Sequence, residues 1–312
     1  MARKLYMECR LYNVNDRLAV LDLTELIEKW IEEGTLVDMA SCFLPYRDGS
    51  NSDVPDEEGV FQMDIDALEE CTGVAGFMDG LTYDSGCAFE IGCGYAWGYP
   101  VHLITTDIFK WFAGSTDSSD IYSVSKLMQH IAKIVHFSQF DISIPGYRER
   151  NEELRERSIA AFKKNLIEEY GTVSDLPVKM EALPVVYDYY LDAGFGYTES
   201  GKALLAQITE AIKNAGKTYV LGDTYGDVAA DIDHLRESGQ AVFFSDVCEP
   251  NVDSGILQGI AYGIGRKPIV YSSTAERYFM AGKYSSWINT MIYYSADKVV
   301  FTMDELIAII SR

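Results

Sequence analysis

The sequence predicts an α/β protein of two tandem domains, each a parallel sheet covered by helices on both faces, and three observations carry that prediction. First, one acidic pattern occurs twice. Asp64-Ile65-Asp66-Ala67-Leu68 leads to Phe77-Met78-Asp79, and Asp231-Ile232-Asp233-His234-Leu235 leads to Phe244-Ser245-Asp246, with the first and last Asp 15 positions apart in both. Each copy is followed by Asp-Ser-Gly, at Asp84-Ser85-Gly86 and Asp253-Ser254-Gly255. Second, the offset of 167 residues between Asp64 and Asp231 is too long for a solenoid repeat and suits two fused domains. Third, short apolar runs alternate with amphipathic stretches, the pattern of a parallel sheet with helical crossovers.

In order, Leu5-Tyr6-Met7 reads as a first strand, followed by an amphipathic helix through Leu21 to Trp30 with a stop at Gly34. Leu36 to Leu44 reads as a second strand and Pro45 to Gly59 as an acidic loop. A helix around Phe61 to Glu70 leads into the apolar run Val74 to Met78, a buried third strand with Asp79 at its carboxyl end. A helix from Cys87 to Trp97 and a strand from Val101 to Thr105 follow. Glu149 to Tyr170 is dense in Arg, Lys and Glu, with Leu154, Ile159, Phe162 and Leu166 as its apolar stripe, and reads as a connecting helix. The second copy repeats the order. Its strands are Val186 to Leu191, Thr218 to Leu221, Ala241 to Phe244, Pro268 to Tyr271 and Lys298 to Phe301. Its helices are Ser200 to Ala215, Val228 to Glu237, Ile256 to Gly263 and one starting at Met303. The expected domains are 1–145 and 184–312, joined by a charged helical linker over 146–183.

The 312 residues carry 26 basic against 48 acidic side chains, a formal charge of -22. That charge repels phosphate backbones and anionic lipid, so it argues against nucleic-acid and membrane-surface partners and for a small neutral or cationic ligand. No apolar run approaches the roughly 20 residues that span a bilayer, and charges at Arg3, Lys4, Glu8 and Arg10 interrupt any signal-peptide core, so a cytoplasmic protein is expected. Six cysteines and four histidines without paired spacing imply reduced thiols and no zinc site.

In open parallel sheets ligands bind outside the carboxyl ends of the strands, which places Asp79, Asp84 and the start of the helix carrying Glu90 around one crevice. A carboxylate there can attack an anomeric carbon when ionised or protonate a leaving group when neutral. Six positions after its Asp-Ser-Gly aspartate the first copy has Glu90, and the second has Gly259.

The strings Phe43-Leu44-Pro45-Tyr46-Arg47-Asp48-Gly49, Asp79-Gly80 and Asp84-Ser85-Gly86-Cys87-Ala88-Phe89-Glu90-Ile91-Gly92 resemble the nucleoside 2-deoxyribosyltransferase family. The resemblance covers about the first 130 residues well and the span from Tyr187 onward more loosely. It implies a flavodoxin-like fold and exchange of the base of a 2'-deoxynucleoside through a covalent deoxyribosyl-glutamate, with a free nucleobase as second substrate and no metal or organic cofactor. By position, Glu90 matches the nucleophile and Asp84 the residue that holds a sugar hydroxyl. Asp64 matches the acid that meets the base, and Tyr6 the tyrosine that orients the nucleophile. Asp79 is a further candidate for substrate binding.

The family builds each site from two subunits, one lending an asparagine that precedes an apolar pair. Asn289 matches it in the second copy, where the first copy has Lys126. The expectation is therefore one composite site per chain, with Glu90, Asp84, Asp64 and Tyr6 from one half and Asn289 from the other. The family's further assembly implies a dimer of the fused chain. Glu8-Cys9-Arg10 stands where the family has a small Gly- or Ala-rich turn, which points to an altered substrate. Two alternatives stand beside transfer: an N-glycoside hydrolase using the same carboxylates, and a nucleoside sensor without turnover.

Overall fold

The computed structural model describes residues 3–10, 13–49, 56–78, 84–105, 111–112, 121–122, 124–136, 146–193, 199–223, 226–244, 252–272, 279–280, 283–284 and 289–312. Two parallel five-stranded sheets, each flanked by helices, form the fold.

The chain opens with β1 (Arg3–Glu8) and α1 (Val14–Glu32). α1 begins a full two turns before the expected start because Asn13 caps it, its side chain accepting from the Asp16 amide at 2.9 Å. β2 is confined to Met39–Phe43, shorter than expected. Leu36 instead belongs to the turn leaving α1, its carbonyl accepting from the Met39 amide at 3.1 Å. The stretch expected as a loop from Pro45 to Gly59 contains a single helical turn, α2 (Pro45–Asp48), started by proline at N1, and the beginning of α3 (Glu57–Glu69). Next come β3 (Gly73–Phe77), α4 (Ser85–Ala96), β4 (Val101–Thr105), the two-residue ladder of β5 (Trp111–Phe112) and β6 (Ile121–Tyr122), α5 (Lys126–Ile131), β7 (Lys133–His136) and α6 (Tyr147–Tyr170).

The second half runs β8 (Tyr187–Leu191), α7 (Glu199–Asn214), β9 (Tyr219–Leu221), α8 (Val228–Arg236), β10 (Ser238–Phe244), α9 (Val252–Gly263) and β11 (Ile269–Tyr271). A second short ladder, β12 (Phe279–Met280) with β13 (Lys283–Tyr284), precedes α10 (Thr290–Ser295), β14 (Lys298–Val300) and α11 (Met303–Ile310). The sheets have orders β2-β1-β3-β4-β7 and β9-β8-β10-β11-β14. Ranked along the chain, each is 2-1-3-4-5, the flavodoxin-like order.

The chain divides into two compact units, one of Met1–Asn51, Met63–Tyr83 and Gly98–Val178, the other of Ser52–Gln62, Asp84–Trp97 and Lys179–Arg312. In the first, strand alternation turns Leu5, Ala75 and Ile104 to one face, where α1 presents Leu23 and Ile27 and α6 presents Phe162 and Leu166. The stripe expected on α6 is therefore buried through Phe162 and Leu166, with Ile159 packed at the edge. In the second, Leu191, Val242 and Ile269 meet Ile208 and Ile212 of α7 and Leu306 of α11. Among the described residues no helix is long and apolar enough to cross a membrane.

Candidate active site

α4 is built around its first residues. Asp84, in extended conformation, is the N-cap, and its Oδ1 accepts from the Gly86 amide at 2.7 Å and the Cys87 amide at 3.2 Å. Such a cap is worth about 1 kcal/mol, and the helix N-terminus favours its negative charge. The same Oδ1 also accepts from Asn289 Nδ2 at 3.0 Å. Asn289 is in turn the N-cap of α10, its Oδ1 accepting from the Met291 amide at 2.9 Å. One amide side chain thus joins the starts of two helices whose capping residues lie 205 positions apart in sequence. Gly86 makes the space, since a Cβ there would come within 2.8 Å of Asn289 Oδ1.

Glu90 lies in the second turn of α4 and is 6% exposed, between the buried Phe89 and Ile91. The half-buried Cys87 is three residues earlier, on the same helical face. Tyr6 and Asp64 belong to the other compact unit. There Tyr6 is fully buried on β1 and stacks on Phe43 with centroids 5.6 Å apart, and Asp64 is buried on α3. Asp79 lies outside the described residues. The structure therefore brings Asp84 and Asn289 into direct contact on the helix that bears Glu90.

Matching the caps of α5 and α10 identifies the counterpart of Asn289 as Ser125, whose hydroxyl accepts from the Met128 amide at 3.1 Å. Sequence comparison had paired Asn289 with Lys126, one residue too late. The signal that would have set the register is the N-cap preference for Ser and Asn.

Ladder registers define the second copy's equivalents. Ala241 pairs with Tyr190 as Val74 pairs with Tyr6, so Tyr190 corresponds to Tyr6. Asp231, the counterpart of Asp64, accepts from the Tyr190 hydroxyl at 3.1 Å and from the Asp223 amide at 2.9 Å. Burial is the main force raising the Asp231 carboxyl to about 6, with those hydrogen bonds opposing it. Burial and the same carboxylate push the Tyr190 phenol well above its usual range. Asp192 accepts a hydrogen bond from the Ser254 hydroxyl. Asp253 sits inside the first turn of α9, which starts at Val252.

Gly259, where the second copy lacks the glutamate, is a packing residue. α9 presents Gly255, Gly259 and Gly263 at i, i+4 and i+8 to Ala88, Gly92 and Ala96 on α4. A Cβ on Gly259 would overlap the Phe89 carbonyl oxygen, and one on Gly92 would overlap that of Ile256. Cys93 Sγ and Trp97 Nε1 reach the Gly259 and Gly263 carbonyls at 3.3 and 3.2 Å. The contact is not symmetric by repeat: on α4 the positions equivalent to the α9 glycines are Gly86, Glu90 and Gly94, a different stripe from the one that packs. α9 thus spends on packing the face that in α4 carries Glu90.

Residues 22–128 match the family model described as nucleoside 2-deoxyribosyltransferase, the same family to which the motifs point. The match includes Asp64, Asp84 and Glu90 and ends before Asn289. No curated protein matches the chain. Among solved structures, a conserved protein from Enterococcus faecalis V583 is similar at 19% identity and a TM-score of 0.36, covering 52% of this chain and 99% of that one.

Proposed function

We propose, from the family domain at residues 22–128, that the chain is a nucleoside 2-deoxyribosyltransferase with Glu90 as its nucleophile and with Asn289 serving the same site. The observation that carries this reading is the hydrogen bond from Asn289 to Asp84 at 3.0 Å, at the start of the helix bearing Glu90. In the proposed chemistry a Glu90 carboxylate oxygen bonds to C1' of the 2'-deoxynucleoside as the C1'–N bond breaks. The electron pair goes to the base nitrogen, which takes a proton from Asp64. A ring nitrogen of the incoming free base then bonds to C1', the C1'–O bond to Glu90 breaks, and the incoming base returns its proton to Asp64. Two inversions give net retention. Asp84 holds a sugar hydroxyl, Asp79 also serves substrate binding, and Tyr6 supplies the phenol that family members use to orient the nucleophile. The scheme requires no metal or organic cofactor.

The charge of -22 favours a neutral nucleoside over a nucleotide. Arg10, the basic group of the Glu8-Cys9-Arg10 turn, pairs with Asp16 at 3.3 Å. The test is to incubate the protein with a deoxynucleoside, with and without a second base, and separate the products by chromatography. Transfer predicts a new deoxynucleoside only when the second base is present, and none with Glu90→Ala. Free base released equally without an acceptor identifies a hydrolase, and binding without turnover a sensor.

A further inference from the structure

His102, on β4, is 0% exposed, and neither of its ring nitrogens has a hydrogen-bond partner among the described residues. The same holds for the hydroxyl of Tyr170, the last residue of α6, which is 1% exposed. The two rings pack against each other with centroids 5.7 Å apart at 59°. Strand alternation puts His102 on the same face as Ile104, the face covered by Phe162 and Leu166 of α6. On neighbouring strands His102 pairs with Ala75 of β3 and Lys133 of β7, and Lys133 bridges to Glu169 of α6 at 2.7 Å. Lys133 opposes a positive charge on the ring and Glu169 favours one, with burial the largest influence. Arg3 and Asp38 act on the Tyr170 end of the same layer.

A neutral imidazole can be buried here at the cost of a lost hydrogen bond, about 1–3 kcal/mol. An imidazolium is a different object: it has two N–H donors and a charge, and among the described residues neither nitrogen of the docked ring has an acceptor within hydrogen-bond distance. We propose that the docking of the last turns of α6 on the first sheet is a proton-sensitive latch, closed while His102 is neutral and opened by protonation of its ring. The released segment is the one that leads directly into the chain joining the two sequence copies.

Burial lowers His102 from 6.5 to about 4 in the docked state. An undocked, hydrated ring returns to the ordinary value. The docked state therefore holds its full advantage above pH 6.5 and loses it as pH falls towards 4, a bias of roughly 300-fold once titration is complete.

The experiment is amide hydrogen exchange by mass spectrometry on the full chain between pH 7.5 and 4.5, corrected for intrinsic exchange rates. In the unmodified protein, protection of residues 162–170 should fall some tens-fold over that range, whereas in His102→Phe, which packs without titrating, it should not. Equal pH dependence in both proteins would overturn the latch, since it would assign the effect to Glu169 or other carboxylates. If His102→Phe does not fold, imidazole titration by NMR in the unmodified chain decides. A midpoint well below 6.5 that coincides with loss of α6 protection supports the latch, and a midpoint near 6.5 with α6 still protected overturns it.

Discussion

At the residue scale, Asn289 and Asp84 share one hydrogen bond and each also caps its own helix. Asn289→Ala removes both the α10 cap and the contact to Asp84. It should lower kcat/KM by roughly 10- to 100-fold, as expected for a hydrogen bond to a charged group worth about 1.5–3 kcal/mol, with a smaller loss of stability. Steady-state kinetics with a deoxynucleoside and acceptor base reads the first, and thermal unfolding the second. Asp231 supplies a prediction about pH. Its folded-state pKa is raised from 3.8 to about 6, so the folded chain holds that proton more tightly than the unfolded chain. The stability it contributes is complete below 3.8 and is lost as pH rises through 6, at most about 3 kcal/mol. The difference in unfolding free energy between the parent and Asp231→Asn should therefore change with pH between 4 and 6 in denaturant unfolding, and a difference that stays constant across that window would refute the assignment. As candidates, Glu90, Asp84 and Asn289 are legible in the sequence because they sit in short, position-specific motifs. The Tyr190–Asp231 pairing is not, since its partners are 41 positions apart and nothing local encodes the distance between them.

At the scale of elements, the crossing of α4 and α9 explains the missing glutamate. Three glycines on one helical face cost α9 about 1 kcal/mol each relative to alanine, and the close approach of two backbones offsets that cost. Gly259→Ala should destabilise the protein by about 3 kcal/mol or more, because the added methyl meets the fixed carbonyl of Phe89. Calorimetry would show it as a lowered Tm. Gly216→Ala makes a useful contrast: its Cβ would have open space, and only its φ of +72° opposes the change. Helix and strand types were readable from periodicity, since the apolar faces of α1, α6 and α7 recur at helical spacing and the strands are short apolar runs. Helix starts were harder, because they depend on single caps such as Asn13. The helices α5 and α10 are absent from that reading because each is six residues long, too short for a helical period to emerge.

At the scale of the whole molecule, α4 comes from the first copy by sequence but belongs to the compact unit that contains the second copy's sheet. A fragment ending at residue 178 would leave Ala88, Gly92 and Ala96 without the α9 face they pack against. It should self-associate or precipitate, and a folded, monodisperse monomer by light scattering would contradict this. The sequence by itself determined the duplication, the two parallel sheets and the acidic motif on α4, because these rest on local patterning and on repeats that need no distance information. Only the tertiary structure decided that Asn289 meets Asp84 and that Gly259 is held against Phe89. Both are contacts between segments more than 160 residues apart, set by how helices pack rather than by any local preference of the chain.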